Sequence, residues 1–212
     1  MRSDHHMPGA DPLQAADMIC LISRSPVATE TLGYRLGQLL MPDSVISLEG
    51  DLGAGKTTLV RGLAAGIGSE DPVSSPTFTL LIEHERTSRG LALYHFDVYR
   101  LAASDDPDLA SDQFMAAGLD EYFDAGGISV IEWGGLIEVL LPLRTLHIRM
   151  TLSVAGASDE RRIELKRTAD QVWPDGLAVV LLDLTTQGLM SFCTEPCDCA
   201  ASADEREGKP SC

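Results

Sequence analysis

The sequence predicts a three-layer α/β fold, with a mostly parallel central sheet covered by helices on both faces. Three features predict it. Short β-rich apolar runs alternate with helix-periodic stretches. An early apolar strand, residues 45–48, runs into a glycine-rich loop that opens a helix. Two later apolar runs each end on one acid, Asp97 and Glu132, and in a parallel sheet such ends gather at one edge.

Residues 1–24 mix Gly, Pro, Asp and His without a firm period and read as a loose leader, although 13–22 suits a short helix or strand. Residues 27–41 carry apolar side chains at 28, 32, 36, 39 and 40, a helical stripe, and Ser25-Pro26 supplies an N-cap and first-turn pair. Residues 57–67 form a second helix with Leu59, Leu63, Ala64 and Ala65 inward, stopped by Gly66 and Gly68. Further strands are expected at 78–84, 91–96, 128–132 and 146–152, and at 162–166, whose alternation gives one wet face. Residues 103–124 hold Asp105, Asp106, Asp108, Asp112, Asp120, Glu121 and Asp124 with no basic partner, and read as a solvated helical face with loops. The pattern fades beyond Leu184. The expected organisation is therefore a domain over 25–184 and a flexible, cysteine-containing tail over 185–212.

The chain has 212 residues, enough for one domain, and 44% apolar residues with 5% aromatics, so its core must be aliphatic. Sixteen basic residues against thirty-two acidic ones leave a net charge of −16, which disfavours gripping a nucleic-acid backbone over a wide surface. No apolar run is long enough to cross a membrane, and the start lacks signal-peptide order. Four of the five cysteines (Cys193, Cys197, Cys199 and Cys212, against Cys20) crowd the end. The nearly cysteine-free body fits a reduced, cytoplasmic protein, and the tail lacks the flanking order and histidines of a zinc site.

Gly50-Asp51-Leu52-Gly53-Ala54-Gly55-Lys56-Thr57 fits the phosphate-binding pattern G-x-x-x-x-G-K-[ST], with a strand before it and a helix after it. Glycines let the backbone wrap a phosphate with its amides inward, and the helix adds its positive end. Lys56, one of three lysines, would reach the β- and γ-phosphates; Thr57 suits Mg²⁺ and Thr58 the α-phosphate. Hydrolysis also needs an acid for Mg²⁺ and a group to position water, and Asp97 and Glu132 are the candidates. Ser74-Ser75-Pro76-Thr77-Phe78-Thr79 follows the loop-bearing helix; it is either a nucleotide-sensing switch or a plain turn.

The phosphate loop, Ser75-Pro76-Thr77-Phe78, Tyr94-His95-Phe96-Asp97-Val98-Tyr99-Arg100-Leu101, Gly118-Leu119-Asp120-Glu121-Tyr122 and Ile131-Glu132-Trp133 occur in that order. Together they resemble the TsaE (YjeE) family, the bacterial ATPase of tRNA threonylcarbamoyladenosine (t6A) biosynthesis, over roughly residues 25–170. The resemblance implies a P-loop NTPase-like fold. It implies an ATP-binding and hydrolysing subunit, weak alone, acting with TsaB and TsaD on adenosine 37 and meeting tRNA only through that complex. It places ATP against Gly53, Ala54, Gly55, Lys56, Thr57 and Thr58, with Ser25 to Thr29 near the adenine. Mg²⁺ falls to Thr57, Asp97 and Glu132, and Glu132 binds metal or positions water. Ser75, Pro76, Thr77 and Phe78 become the switch, Trp133 lies beside the nucleotide or a partner, and an arginine near Arg162 touches nucleotide. The leader, the stretch beyond about 170 and the cysteine tail depart from the family's compact length.

Two rivals remain. A small-molecule kinase would want an arginine-rich lid, whereas arginines here are scattered apart from Arg161-Arg162. A non-catalytic nucleotide sensor would have no need of a water-positioning acid at 132.

Overall fold

The computed structural model describes residues 12–85, 87, 89–102, 108–152, 159–168 and 171–193. Residues 1–11 of the expected leader, Asp105 and Asp106, and Cys197, Cys199 and Cys212 lie outside the described residues. Among the described residues the strands are β1 (Met18–Ser23), β2 (Val45–Glu49), β3 (Leu81–His84), β4 (Leu93–Asp97), β5 (Ile128–Glu132), β6 (Leu146–Leu152), β7 (Arg161–Lys166) and β8 (Met190–Phe192). The helices are α1 (Pro26–Leu39), α2 (Lys56–Ile67), α3 (Leu109–Ala116) and α4 (Leu177–Thr186), joined by 3-10 turns at Tyr99–Ala102, Leu119–Asp124 and Gly134–Leu140. No helix among them is long and apolar enough to cross a membrane.

One mixed sheet runs β3-β4-β5-β2-β6-β7-β1-β8. Its centre, β4-β5-β2-β6, is parallel; β3 on one side and β7, β1 and β8 on the other pair antiparallel. The expectation of a mostly parallel sheet is corrected accordingly. The chain between β3 and β4, and between β6 and β7, is too short for the crossover that a parallel pair requires.

Apolar clusters lie on both faces of the sheet. One joins α1, α2 and α4 to Ile46, Leu48, Val130, Ile148 and Ile163; the other joins Phe114 of α3, Phe123 and Ile137 to Val45, Phe96 and Ile131. The domain also extends past its expected limits. β1, inside the expected leader, buries Ile19 and Leu21 and pairs with β7, and β8, inside the expected tail, pairs with β1. Helix α4 was not foreseen, because its run Leu177-Ala178-Val179-Val180-Leu181-Leu182 is apolar all round and shows little helical contrast.

Ser25 caps α1 by accepting a hydrogen bond from the Ala28 amide (3.1 Å), and Pro26 opens the helix, as its fixed φ favours. Helices α1 and α2 pack backbone to backbone. A Cβ at Gly33 would meet Leu59 O, at Gly37 Leu63 O, at Gly62 Glu30 O and at Gly66 Tyr34 O. Contacts ascend together along both helices, so the helices are parallel and the start of α1 lies beside the start of α2. Gly66, expected to stop α2, is instead part of this contact, while Ala65 faces outward. Arg89, in the β3–β4 connection, ties off both helix ends. Its guanidinium donates to Gly37 O (3.0 Å) and Gly66 O (3.3 Å), and to Gln38 O and Leu40 O, where helix dipoles favour a cation.

Gly62→Ala should push the helices apart and cost about 1–3 kcal/mol, as overpacking does. Denaturant unfolding checks this; an unchanged midpoint would show that the contact yields without cost.

Candidate functional site

β2 delivers the chain to the loop. Gly50 holds φ +139° where a side chain would run into the Met150 carbonyl, so only glycine fits that close approach. Gly53 and Gly55 also take positive φ, and Gly55 stands immediately before α2. Lys56 folds back over this loop. Its ammonium donates to Gly50 O (2.6 Å) and Asp51 O (3.2 Å) and lies 4.1 Å from the centre of the Trp133 ring. Burial pushes the Lys56 pKa down, while Glu132, Asp97, Glu49 and Asp51 oppose that shift by their charge.

The parallel pairing of β4 with β5 sets Asp97 directly beside Glu132, and that of β2 with β5 sets Leu48 beside Glu132. Both acids are 3% exposed. Each is matched by donors. Asp97 accepts from Thr77 Oγ1 (2.6 Å), Ser75 Oγ (2.9 Å) and the Tyr99 amide (3.1 Å). Glu132 Oε1 accepts from Thr57 Oγ1 (2.9 Å) and lies 3.0 Å from His95 Nε2. Trp133, next in the chain, takes the left-handed conformation (φ +66°) unusual for a bulky residue, with its amide bonded to Leu48 O (2.8 Å). That turn lays its ring under Lys56 and 5.0 Å from the Tyr99 ring.

A cavity of about 580 Å³ is lined by Leu52, Gly53, Gly55, Lys56, Thr57, Thr58, Ser75, Thr77, Asp97, Tyr99, Glu132 and Trp133. Most of the site residues expected from sequence therefore converge. Ala54 is buried just beneath, its carbonyl held by Arg161 Nε (3.1 Å). Pro76 accepts the Thr79 and Leu80 amides in a tight turn, which leaves Phe78 exposed beside the cavity residues Ser75 and Thr77. Ser25 and Thr29 are not among the lining residues. Ser25 is occupied as the α1 cap, and Thr29 is buried against Ser23 Oγ (2.8 Å), although parallel packing keeps this end of α1 near the start of α2.

Arg162 is not among the residues that line the cavity. Its Nε donates to Glu164 (3.0 Å) on the same strand face, whereas Arg161 reaches the loop carbonyls of Ala54 and Gly53. Strand parity carries the signal, since 161 shares a face with the buried Ile163 and Leu165, which pack toward the loop-bearing helix. His95, through Glu132, and Tyr99, in the cavity lining, also belong to the site, and both fall within the stretch 94–101.

On β3, His84 is 4% exposed with Nδ1 3.8 Å from Asp71. Burial lowers its pKa below the ordinary 6.5, His95 adds to that, and Asp71 opposes it. The unfolded chain then binds more protons than the folded one below about pH 6.5, so His84 withdraws stability as pH falls through that value and has no effect well above it. His84→Met should flatten the loss of melting temperature between pH 7 and 5.5; an identical slope in both proteins would contradict this.

Comparisons with known proteins point to one family. The family model described as "Threonylcarbamoyl adenosine biosynthesis protein TsaE" matches residues 23–163. The tRNA threonylcarbamoyladenosine biosynthesis protein TsaE of Bacillus subtilis is 41% identical over 139 residues, 66% of this chain and 79% of that protein. Its namesake in Treponema pallidum is 42% identical over 136 residues, 64% of this chain and 93% of that protein. The crystal structure of YdiB from Bacillus subtilis superposes with a TM-score of 0.59 at 30% identity, covering 81% of this chain and 96% of that one.

Proposed function

Because the chain belongs to the TsaE family, we propose that it serves tRNA threonylcarbamoyladenosine biosynthesis as the subunit that binds and hydrolyses ATP, acting with TsaB and TsaD. One observation carries the ATP reading. A loop with three positive-φ glycines opens a helix whose first residues, Lys56 and Thr57, face two buried strand-end acids. Loop amides and the N-terminus of α2 would receive the phosphates. Lys56 would exchange Gly50 O for the β- and γ-phosphates, a stronger partner for an ammonium than a neutral carbonyl.

Thr57, Asp97 and Glu132 present a hydroxyl and two carboxylates at the cavity, an oxygen donor set that fits a hard cation. They would hold Mg²⁺, which when bound neutralises charge on the phosphate oxygens. The Thr57 oxygen keeps lone pairs for that task while its O–H donates to Glu132. Glu132 would orient the attacking water and accept its proton. Asp97, tied to both Ser75 and Thr77, would pass nucleotide occupancy to the 75–78 segment, the switch of this reading. The acidic chain leaves tRNA to its partners, with which it would work in the cytoplasm.

Lys56→Ala should weaken ATP binding by about 2–5 kcal/mol, the usual cost of removing one partner of a buried charge contact. Glu132→Gln should bind ATP within a few-fold of wild type and lose about 10²–10⁴-fold in turnover. Calorimetry and phosphate release measure the two; a Glu132→Gln protein of normal turnover would remove that acid from the chemistry. Hydrolysis by the lone protein should be slow and should rise on titration with TsaB–TsaD. Tight, salt-sensitive tRNA binding by the lone protein without stimulation would reverse the assignment of roles.

A further inference from the structure

The site contains a histidine that the ATPase reading has not used. His95 lies in the middle of β4, fully buried. Its strand neighbour on the same face, Leu93, is apolar and packs in the helix-side core, the ordinary choice for such a position. A histidine there carries a cost, since its Nδ1 is buried without a hydrogen-bond partner among the described residues. A buried polar atom left without a partner is destabilising. The feature set against that cost is the contact of Nε2 with Glu132 Oε1 at 3.0 Å.

A carboxylate oxygen only accepts, so Nε2 carries the hydrogen and donates it. Both hydrogen bonds to Glu132 fall on Oε1, from Thr57 and His95; none reaches Oε2 among the described residues. Thr57 is not a dedicated holder, because its oxygen is also a metal ligand in the reading above. His95 makes no other side-chain hydrogen bond among the described residues, and its side chain is fully buried.

Resting on the assignment of Glu132 as the water-orienting acid, we propose that His95 is a positioning residue for it. The Nε2–H pins Oε1 and thereby fixes the orientation of the carboxylate that faces the cation and the attacking water. His95 is fully buried and is not among the residues that line the cavity, so it acts through the carboxylate, as histidine and carboxylate partners behind a site do elsewhere. A purely structural role would instead make His95 a stability residue whose loss affects binding and turnover alike.

The test uses the full chain with TsaB–TsaD. It compares wild type, His95→Gln, His95→Met, Glu132→Gln and the Glu132→Gln/His95→Met double variant. Readouts are steady-state phosphate release, calorimetric affinity for a slowly hydrolysed ATP analogue with Mg²⁺, and melting temperature. His95→Met should keep analogue affinity within about twofold and lose about 10–100-fold in kcat, the usual scale for removing an outer-shell partner. His95→Gln, whose amide nitrogen donates at similar reach, should recover most of that loss. In the Glu132→Gln background His95→Met should change kcat no further, because the group it positions is gone. Should His95→Met fail to fold, His95→Asn, which withdraws the donor from that reach, takes its place.

Equal loss in His95→Gln and His95→Met, or loss of affinity in step with kcat, or an additive double variant, overturns the proposal. A wild type that neither binds nor turns over ATP overturns the ATPase reading and this inference with it. A hydrolysing wild type with an unaffected His95→Met overturns the inference alone.

Discussion

Two carboxylates buried side by side at the ends of parallel strands are the constraint around which the rest of this molecule is arranged. Asp97 and Glu132 are register partners on β4 and β5, and each is almost wholly removed from water. Like charges at that spacing in a poorly polarisable interior are tolerated only when surrounding groups donate to them. The neighbourhood supplies those donors from four separate places: α2 gives Thr57 and the Lys56 charge, β4 gives His95, the 75–78 segment gives Ser75 and Thr77, and the Tyr99 amide closes the set.

Holding α2 at the right depth is the second requirement. Lys56 and Thr57 are its first two residues, so any tilt or slide of α2 moves both against the acids. The glycine contacts between α1 and α2 lock the helices at backbone distance, and Arg89 fixes their far ends through four carbonyls. At the near end, Arg161 of β7 holds the loop by Ala54 and Gly53. Lys56 meanwhile bonds Gly50 O and lies over the Trp133 face.

Much of the site was legible because its chemistry is local in sequence. The loop pattern needs glycines at fixed spacings for its backbone, and the acids stand at the ends of short apolar runs that read plainly as strands. The parts that escaped depend on pairing partners distant in sequence. Strands β1 and β8 look like leader and tail until β7 is seen between β6 and β1, and a short connection rather than any residue makes β6–β7 antiparallel. The two G-x-x-x-G spacings, Gly33 with Gly37 and Gly62 with Gly66, were in plain view, but one-helix periodicity treats glycine as a breaker, not as a contact surface. Arg161 and Arg162 are indistinguishable as a doublet in the sequence, and only strand parity tells which one faces the loop.

The central claim is that these acids, the loop and Lys56 form one ATP·Mg²⁺ site whose lysine is parked on its own loop until nucleotide arrives. A crystal structure of the chain with a slowly hydrolysed ATP analogue and Mg²⁺ tests it most directly. The account predicts Lys56 Nζ on the β- and γ-phosphates and away from Gly50 O, with the cation beside Thr57 and the strand-end acids. Nucleotide bound elsewhere, or bound here with Lys56 still on Gly50 O, would contradict it.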